Sequence, residues 1–351
     1  ALGIETYLFE SKASLIDGPP MCHLHAGGNL YREIPDEDCV ELLKQSIDML
    51  RKYPHSIDVR PTIIAIPKRD DGNPEDLLPR LQLLTREYKA MIEADPANKV
   101  LGEAEDYYRL YDRQQLEALI KANDSDPSVF PEDQIPKELD HWMLNAAKNL
   151  DLDKLKFPIV AVQEYGWNIF RLAASAQIAL GFYPNAHLLL NTQVINVTEA
   201  DTVENNLTNS LTNKLANSDA NNNASNPKWV INYQQSIEPQ QAQTQSITVD
   251  YLINACGFKT GIIDNMIGVP VQRMVEFKAS YVTHWSKMAQ AATAAKEPVS
   301  EDLVHPSIRL PEIIIHGKRG TPQGMVQLTP YPDGYYQIHS MNKAVTLFKD
   351  G

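Results

Sequence analysis

The stretch from Trp167 to Glu199 constrains the fold most, because a helical pattern and two strand patterns follow one another directly. In WNIFRLAASAQIALGFY the apolar residues recur with a helical period, which predicts an amphipathic helix. The residues on its apolar face are Ile169, Leu172, Ala176 and Leu180. The next segment, AHLLLNTQVINVTEA, predicts two short strands joined around Asn191 and Thr192. A helix followed by a strand at this spacing indicates a βαβ unit, so the sequence predicts a mixed α/β fold.

The first half of the chain contains further strand and helix patterns. A strand is predicted at Thr6–Phe9, ending on Glu10, and a helix is predicted from Asp36. The apolar face of this helix carries Val40, Leu43, Ile47 and Leu50. RPTIIAIPK predicts a strand, and DLLPRLQLLTREYKAMIEA predicts a helix with a proline near its start. The region from Asp106 to Leu150 carries helical and loop signals whose order the pattern leaves open.

The last third is rich in strand patterns, namely VEFKASYVTHW, PEIIIHGKRG, MVQLTPY and GYYQIHS. Asp333-Gly334 predicts a tight turn between the last two. Residues 204–227 are rich in Asn and Ser and hold too little apolar surface to offset the entropy of ordering them. We therefore expect a disordered insertion at the tip of a hairpin, with the predicted strands KWVINYQQ and QSITVDYLINACG on either side of it.

The composition excludes several classes of protein. With 43% hydrophobic residues in 351, the chain can bury a sizeable core. A net charge of −13 argues against non-specific binding to nucleic acid, which requires surplus Lys and Arg. The three cysteines form no CxxC pair and no disulfide framework, which favours a reduced, cytoplasmic protein. No apolar run reaches transmembrane length and no leader pattern is present, although peripheral membrane association stays open.

The stretch MCHLHAGGNLY, Met21 to Tyr31, permits several kinds of site. His23 and His25 share a face of an extended chain, but a metal site needs further ligands and only Cys22 is adjacent, so we expect no metal. The glycines lack the Gly-Lys continuation of a nucleotide triphosphatase loop. A Cys–His nucleophile is conceivable, but nothing marks either Cys22 or Cys256 as activated. The wall of a cofactor pocket remains.

Two other elements support a cofactor site. Glu10 ends a short strand, the place where dinucleotide-binding folds keep an acid for the ribose, although it could equally be a solvated surface residue. In YLINACGFKTG, Tyr251 to Gly261, a strand runs into the small residues Ala255, Cys256 and Gly257. Small residues there let the backbone approach a ligand closely, although an ordinary glycine-capped turn would look the same.

The order of these elements resembles the FAD-dependent oxidoreductases of the D-amino-acid oxidase superfamily. Relatives in that superfamily include glycerol-3-phosphate dehydrogenase, malate:quinone oxidoreductase, and sarcosine and dimethylglycine dehydrogenases. The resemblance covers most of the chain as architecture, while its motif matches occupy three short windows. It implies an incomplete FAD/NAD(P)-binding Rossmann-like domain interleaved with a substrate domain built on a large antiparallel sheet with helices.

The resemblance also implies roles for single residues. Glu10 would bind the adenosine ribose, and Ser11, Lys12 and Ser14 would lie near the adenosine and the pyrophosphate. The other implied cofactor contacts are His25, Ala26, Gly27 and Gly28 beneath the flavin ring, Val194 at the adenine, and Ala255 and Gly257 in a second turn at the flavin. In sarcosine and dimethylglycine dehydrogenases a similar His-Ala-Ala-Gly sequence holds the flavin covalently, and the resemblance leaves open whether His25 does so.

Substrate contacts are implied on the predicted sheet. Arg319 is the natural carboxylate clamp, because its guanidinium can bind two oxygens at once. The other candidates for catalysis or substrate contact are His25, Tyr281 and His339, with Lys278, His284 and Tyr336 as further options. A half-exposed structural role is the alternative for each.

The resemblance divides the chain into two predicted domains. Residues 1–35 and 155–268 would form the FAD-binding domain, and residues 36–154 and 269–351 the substrate domain. The family's Gly-x-Gly-x-x-Gly turn and its late flavin-closing element are absent, so we expect a fragment that is inactive by itself. The expected activity is hydride transfer to FAD from a small amine- or hydroxy-acid-type substrate, with a quinone or oxygen as electron acceptor. A non-catalytic module that lost the cofactor is the alternative, and a flavin-dependent nucleic-acid modifier is disfavoured by the negative charge.

Overall fold

The computed structural model describes residues 3–16, 32–131, 135–200, 228–235, 243–269, 271–273, 277–284, 310–318, 321–331, 334–340 and 342–347. The strands of these residues are β1 (Thr6–Phe9), β2 (Ile57–Asp58), β3 (Thr62–Pro67), β4 (Tyr108–Tyr111), β5 (Leu155–Val162), β6 (Gly166–Trp167), β7 (Ala186–Leu189), β8 (Thr192–Glu199), β9 (Trp229–Gln235), β10 (Thr244–Val249), β11 (Ser280–His284), β12 (Glu312–Ile315), β13 (Val326–Pro330) and β14 (Tyr335–Ser340). The helices are α1 (Asp36–Lys52), α2 (Leu78–Ala94), α3 (Arg113–Ser125), α4 (Leu139–Ala147), α5 (Ile169–Gly181) and α6 (Thr260–Met266). The predicted mixed α/β fold with a multi-stranded sheet is confirmed.

The chain forms two compact units. Unit 1 comprises Ala1–Pro20, Ala173–Val275 and Gly351, and unit 2 comprises Met21–Leu172 and Glu276–Asp350. Residues 32–35 and 155–172 were predicted for the FAD-binding domain but belong to unit 2, and residues 269 and 271–273 were predicted for the substrate domain but belong to unit 1. Strand β5 lies in unit 2 because it pairs with β3 and β4 there. The assignment of functions to the two units stays a prediction.

Unit 2 is built on a seven-stranded sheet with the order β11-β14-β13-β12-β3-β5-β4. The β12–β3 pair is parallel, and Glu312 stands opposite Thr62 in its register. The other neighbouring pairs are antiparallel. The expected large antiparallel sheet is therefore present with one parallel junction, the β12–β3 pair. This pair joins the two segments of unit 2, Met21–Leu172 and Glu276–Asp350.

Helices cover both faces of the sheet around β3. Ile64 and Ile66 point to a core that includes Leu43 of α1 and Leu84 of α2. The alternate residues of β3 point the other way, to a core that includes residues of α3 and α4. The predicted apolar face of α1 is confirmed, with Leu43, Ile47 and Leu50 buried and Val40 partly buried against the same core.

Unit 1 combines a parallel pair, β1–β7, with an antiparallel three-stranded sheet of order β10-β9-β8. Its core contains the buried residues Val197, Ile231 and Ile263. Helix α5 forms as predicted, but none of its residues is fully buried. The parallel pair agrees with a βαβ arrangement, while the Rossmann-like domain in detail stays a prediction.

Hairpins occur at both predicted positions. Residues 204–227 lie outside the described residues, and the antiparallel strands that flank them are β8 and β9, with Glu199 opposite Trp229. Strand β10 follows β9 in a second hairpin, so the two strands named beside the tract in the sequence analysis both come after it. Strands β13 and β14 pair across a turn that contains Gly334 at a φ of +73°. A φ in this region favours glycine; Asp333 lies outside the described residues.

Candidate cofactor site

Glu10 lies at the carboxyl end of β1, in a turn that fixes its side chain. Its backbone N–H donates to the Leu189 carbonyl, which continues the β1–β7 pairing by one residue. One carboxylate oxygen, Oε1, accepts hydrogen bonds from the Lys12 backbone N–H at 2.9 Å and from the Ser11 hydroxyl at 3.3 Å. The half-buried carboxylate is thereby held at the strand end as an oriented acceptor.

The residues after Glu10 lie against the turn between β7 and β8. The Asn191 N–H donates to the Lys12 carbonyl, and the Thr192 N–H donates to the Glu10 carbonyl. Asn191 has a φ of 52°, a left-handed conformation that asparagine adopts more readily than most residues. Ser11, Lys12 and Ser14 are exposed. The predicted pyrophosphate-side residues therefore lie on the surface beside the carboxyl end of β1.

The segment from Tyr251 to Gly257 ends in a turn organised by Asn254. The Asn254 amide donates to the Thr260 carbonyl at 2.9 Å and to Asp264 Oδ1 at 2.8 Å. Gly257 has a φ of +55°, and a Cβ built on it would meet no atom within 4 Å. Ala255 and Gly257 are both exposed. The turn thus combines a conformation that suits glycine with open space beside it.

The end of β1 and this second turn lie close together. Cys256 is exposed, but partial desolvation of its thiol raises the pKa of that thiol, the negative charge of Glu10 adds to the rise, and Lys259 opposes it. The residues before the two turns, Phe9 and Leu252, pack against the same small core. Two windows that the sequence separates by most of unit 1 therefore lie in the same part of that unit.

Val194 lies in the same unit, on β8. It is partly buried against the core that also contains Phe9 and Leu252, the residues before the two turns. The ring of Phe9 lies 4.9 Å from that of Tyr233, which stands opposite Val194. One small core thus joins the three predicted cofactor windows in the described residues.

The structure separates two of the predicted substrate contacts. In the β11–β14 pairing Tyr281 stands opposite Ile338, and Ser280 stands opposite His339. Paired residues point to the same face of a sheet and successive residues alternate. Tyr281 and His339 therefore point to opposite faces and cannot contact one ligand on a single face of the sheet.

The remaining predicted site residues, His25, Ala26, Gly27, Gly28 and Arg319, lie outside the described residues. Of the further options, His284 stands opposite Tyr335 and shares the face of His339. Tyr336 stands opposite Thr283 and shares the face of Tyr281. The amino group of Lys278 donates to the Thr346 hydroxyl at 2.8 Å, which gives it a structural partner.

Sequence reasoning missed a buried polar cluster in unit 2. Arg60 and Glu312 are paired at 2.7 Å with side chains only 2% and 4% exposed. Gln327 donates to the same carboxylate, and two more acids are buried, Asp58 just before Arg60 and Glu164 just before Gly166. In the sequence, a polar residue next to a strand pattern predicts an exposed end of that strand. Only the pairing of the strands shows that these polar residues are buried.

Two further properties concern the described residues alone. They include no group of three or more His, Cys, Asp or Glu side chains that could hold a metal ion. No described helix is both long enough and apolar enough to cross a membrane.

Comparisons with known proteins give weak similarities. No protein-family model matches the chain, and no curated protein matches it. Among solved structures, an L-proline dehydrogenase from P. horikoshii is 14% identical with a TM-score of 0.42, over 88% of this chain and 57% of that one. A glycine oxidase from Geobacillus kaustophilus is 11% identical with a TM-score of 0.38, over 95% of this chain and 63% of that one. The chain thus spans less than two thirds of the length of either enzyme.

Proposed function

We propose that the protein is an FAD-dependent oxidoreductase of the D-amino-acid oxidase type, which oxidises a small amine- or hydroxy-acid substrate. The observation that carries the proposal is that Glu10, at the carboxyl end of β1, and the turn at Gly257 lie beside one small core, since Phe9 and Leu252 before them both pack against it. In open α/β sheets, ligands bind outside the carboxyl ends of the strands, and an acid there accepts hydrogen bonds from a ribose.

The described residues fit the adenosine half of FAD. The Glu10 carboxylate is an oriented acceptor, since Lys12 and Ser11 hold one of its oxygens. A ribose has two vicinal hydroxyls that can donate to such a carboxylate. Open space beside Gly257 leaves room for a bulky group to approach the backbone. Val194 would contribute the backbone beside the adenine, from a strand that packs against Phe9.

When bound, FAD would supply the acceptor for a hydride from the substrate carbon that carries the amine or hydroxyl. The protein's own residues would bind and orient the two molecules. His25, Ala26, Gly27 and Gly28 would line the flavin ring, and Arg319 would bind the substrate carboxylate in a bidentate manner. Since Tyr281 and His339 point to opposite faces, at most one of them can serve that site, and the electron acceptor would be a quinone or oxygen.

The alternative is a binding module that kept the fold and lost the cofactor. Such a module would have the same polar, exposed residues at this site but no affinity for FAD. Binding of FAD by the purified full-length protein, followed by the change in flavin fluorescence, separates the two functions directly.

The role of Glu10 is tested by comparing wild type, Glu10→Gln and Glu5→Gln. Glu5 is the matched control, because it precedes the same strand but lies at the opposite end of it. Replacing the carboxylate at Glu10 removes a charge-assisted hydrogen bond, so we expect about 10- to 100-fold weaker FAD binding. Glu5→Gln should bind as wild type does. Equal affinities in all three proteins would refute the proposed ribose contact.

Cys256 provides an independent footprint of the same site. It is exposed, whereas Cys39 is fully buried, so N-ethylmaleimide should label Cys256 and spare Cys39 in the folded protein. Bound FAD should slow the labelling of Cys256, as measured by mass spectrometry of the peptides. If saturating FAD leaves the labelling rate unchanged, the cofactor binds elsewhere.

A further inference from the structure

Outside the proposed cofactor site, unit 2 encloses a buried polar cluster around Arg60, which precedes β3. Its Nη1 lies 2.7 Å from Glu312 Oε2, and the other oxygen of Glu312 accepts a hydrogen bond from the Gln327 amide. On the other side the guanidinium lies over Gly166, where a Cβ would come within 2.4 Å of Nη2. Arg60 is thus fixed between the parallel junction of the sheet and strand β6.

Asp58 lies on the same side of the β2–β6 ribbon as this guanidinium. Asp58 stands opposite Gly166 in the pairing, and directly paired residues share a face. Burial raises the pKa of Asp58, and the positive charges of Arg171 and Arg60 oppose the rise. Asp58 Oδ1 pairs with Arg171, whose guanidinium also donates to the Ile57 carbonyl at 3.0 Å.

The described residues include further buried polar atoms without hydrogen-bond partners, such as Ser56 Oγ, but one donor and one acceptor belong to the two charged residues that face Gly166. They are Arg60 Nε and Asp58 Oδ2, on residues only 1% and 5% exposed. Buried polar atoms are almost always hydrogen-bonded, to protein or to ordered water. Trp167 Nε1 also lacks a partner, but Trp167 stands opposite Ile57 and points to the other face of the ribbon.

We infer that a buried water molecule bridges Arg60 Nε and Asp58 Oδ2. The ligand must accept from a guanidinium and donate to a carboxylate, which a single water can do at once. An anion would meet the Asp58 carboxylate, and a metal cation would meet the Arg60 guanidinium, so the paired charges exclude both. The bridge completes a polar chain that runs from Arg171 through Asp58, the water, Arg60 and Glu312 to Gln327 on β13.

Such a water joins elements that are far apart in the sequence. Arg171 lies in the first turn of α5, Arg60 before β3, and Glu312 at the start of β12. Asp58, Arg60 and Glu312, the charged groups inside this polar network, then each have a hydrogen-bond partner on both sides. The inference does not depend on the proposed oxidoreductase activity, because it concerns the interior of unit 2.

A crystal structure at about 1.5 Å resolution tests the inference. We expect a water peak within about 3.2 Å of both Arg60 Nε and Asp58 Oδ2. An empty space, or a direct hydrogen bond between these two atoms, would overturn it. This measurement uses the wild-type protein and does not require that any variant folds.

Two variants of Asp58 sharpen the test. Asp58→Asn keeps an oxygen that can accept from water and should retain the peak, while Asp58→Leu has no polar atom and should lose it. We also expect a larger drop in Tm for Asp58→Leu than for Asp58→Asn. A water that persists unchanged in Asp58→Leu would show that other groups hold it and would refute the bridge. If Asp58→Leu does not fold, the wild-type and Asp58→Asn structures decide.

Discussion

The two units of the molecule differ in how completely they bury their apolar residues. Unit 2 has cores on both faces of β3, with residues such as Leu43 and Leu84 fully enclosed. Unit 1 has a small core, and its extended segment leaves Tyr251 83% and Ile253 87% exposed. Since burial of apolar surface is the main driving force of folding, we expect unit 2 to be the more stable of the two units.

This difference suits a unit that binds a cofactor. A ligand that binds only the folded state stabilises it by mass action, and a unit with a small core has most to gain. We therefore expect FAD, bound as proposed, to slow amide hydrogen exchange in the turns after Glu10 and at Gly257 in unit 1 far more than in the cores around β3 in unit 2. The following predictions test the contrast, from the largest expected effect to the smallest.

Gly166→Ala in unit 2 should have the largest effect. The added methyl group would overlap the buried Arg60 guanidinium and force it away from Glu312. Disrupting a buried ion pair costs about 3–5 kcal/mol of the free energy of unfolding, which urea denaturation would measure. Gly181→Ala is the control, since Gly181 is the last residue of α5 and a Cβ added there would meet no atom within 4 Å. Similar losses in both variants would mean that the contact with Arg60 is not the cause.

Truncating one buried apolar side chain in each unit compares the core of unit 2 with the core of unit 1. Leu84→Ala in unit 2 removes a fully buried side chain and should cost about 3–5 kcal/mol. Ile263→Ala in unit 1 removes a side chain that is 8% exposed, next to partly buried neighbours, and should cost about 2 kcal/mol, the lower end of the range. Denaturation curves give both values. A larger cost for Ile263→Ala would reverse the proposed contrast between the units.

Asp70 should produce a smaller, pH-dependent effect in unit 2. Burial raises the pKa of Asp70, but the Gly72 N–H and the Arg32 guanidinium, at 2.8 and 2.7 Å, outweigh burial and lower it overall. A lowered pKa contributes stability that is fully present above the unfolded-state value of about 3.9 and is lost as pH falls through the folded-state value. Asp70→Asn should therefore flatten the dependence of Tm on pH in the acid range. An unchanged acid slope would contradict the role of Asp70.

Deleting residues 204–227 should have the smallest effect. Glu199 and Trp229 stand opposite one another, and the Ala200 N–H donates to the Lys228 carbonyl, so the ends of the tract are already joined by the sheet. Closing the hairpin with Asn-Gly shortens the loop by a little over two doublings, so at about 0.6 kcal/mol for each doubling it should raise the free energy of unfolding by roughly 1.5 kcal/mol at most. A loss of several kcal/mol would show that the tract packs on unit 1.

The sequence predicted the local elements well and their partners poorly. The bounds of β1 and the buried face of α1 follow from residue periodicity, which is a local property. The parallel pairing of β12 with β3 could not be predicted, because alternation along a strand does not specify its neighbour. The edge strand β4 was missed because YRLY is short and lies between helical signals.

The candidate site shows the same limit. The resemblance implied that Glu10 and Gly257 serve one site, and the residues before them, Phe9 and Leu252, pack against one small core in the structure. The separation of Tyr281 from His339 required the register of β11 on β14, which no pattern in either strand contains. The Arg60 cluster required both the pairing and the enclosure of polar residues at strand ends.

The parallel junction between β3 and β12 sets the order in which the protein can be completed on the ribosome. The strands β3, β4 and β5 emerge early with α1 to α4, but β12, β13 and β14 emerge only after nearly all of unit 1 has been synthesised. The growing chain must therefore hold half a sheet, with the edge of β3 open, while unit 1 is translated. Open strand edges invite pairing with other chains. A nascent chain of this protein should accordingly need chaperone protection during that interval more than at any later stage.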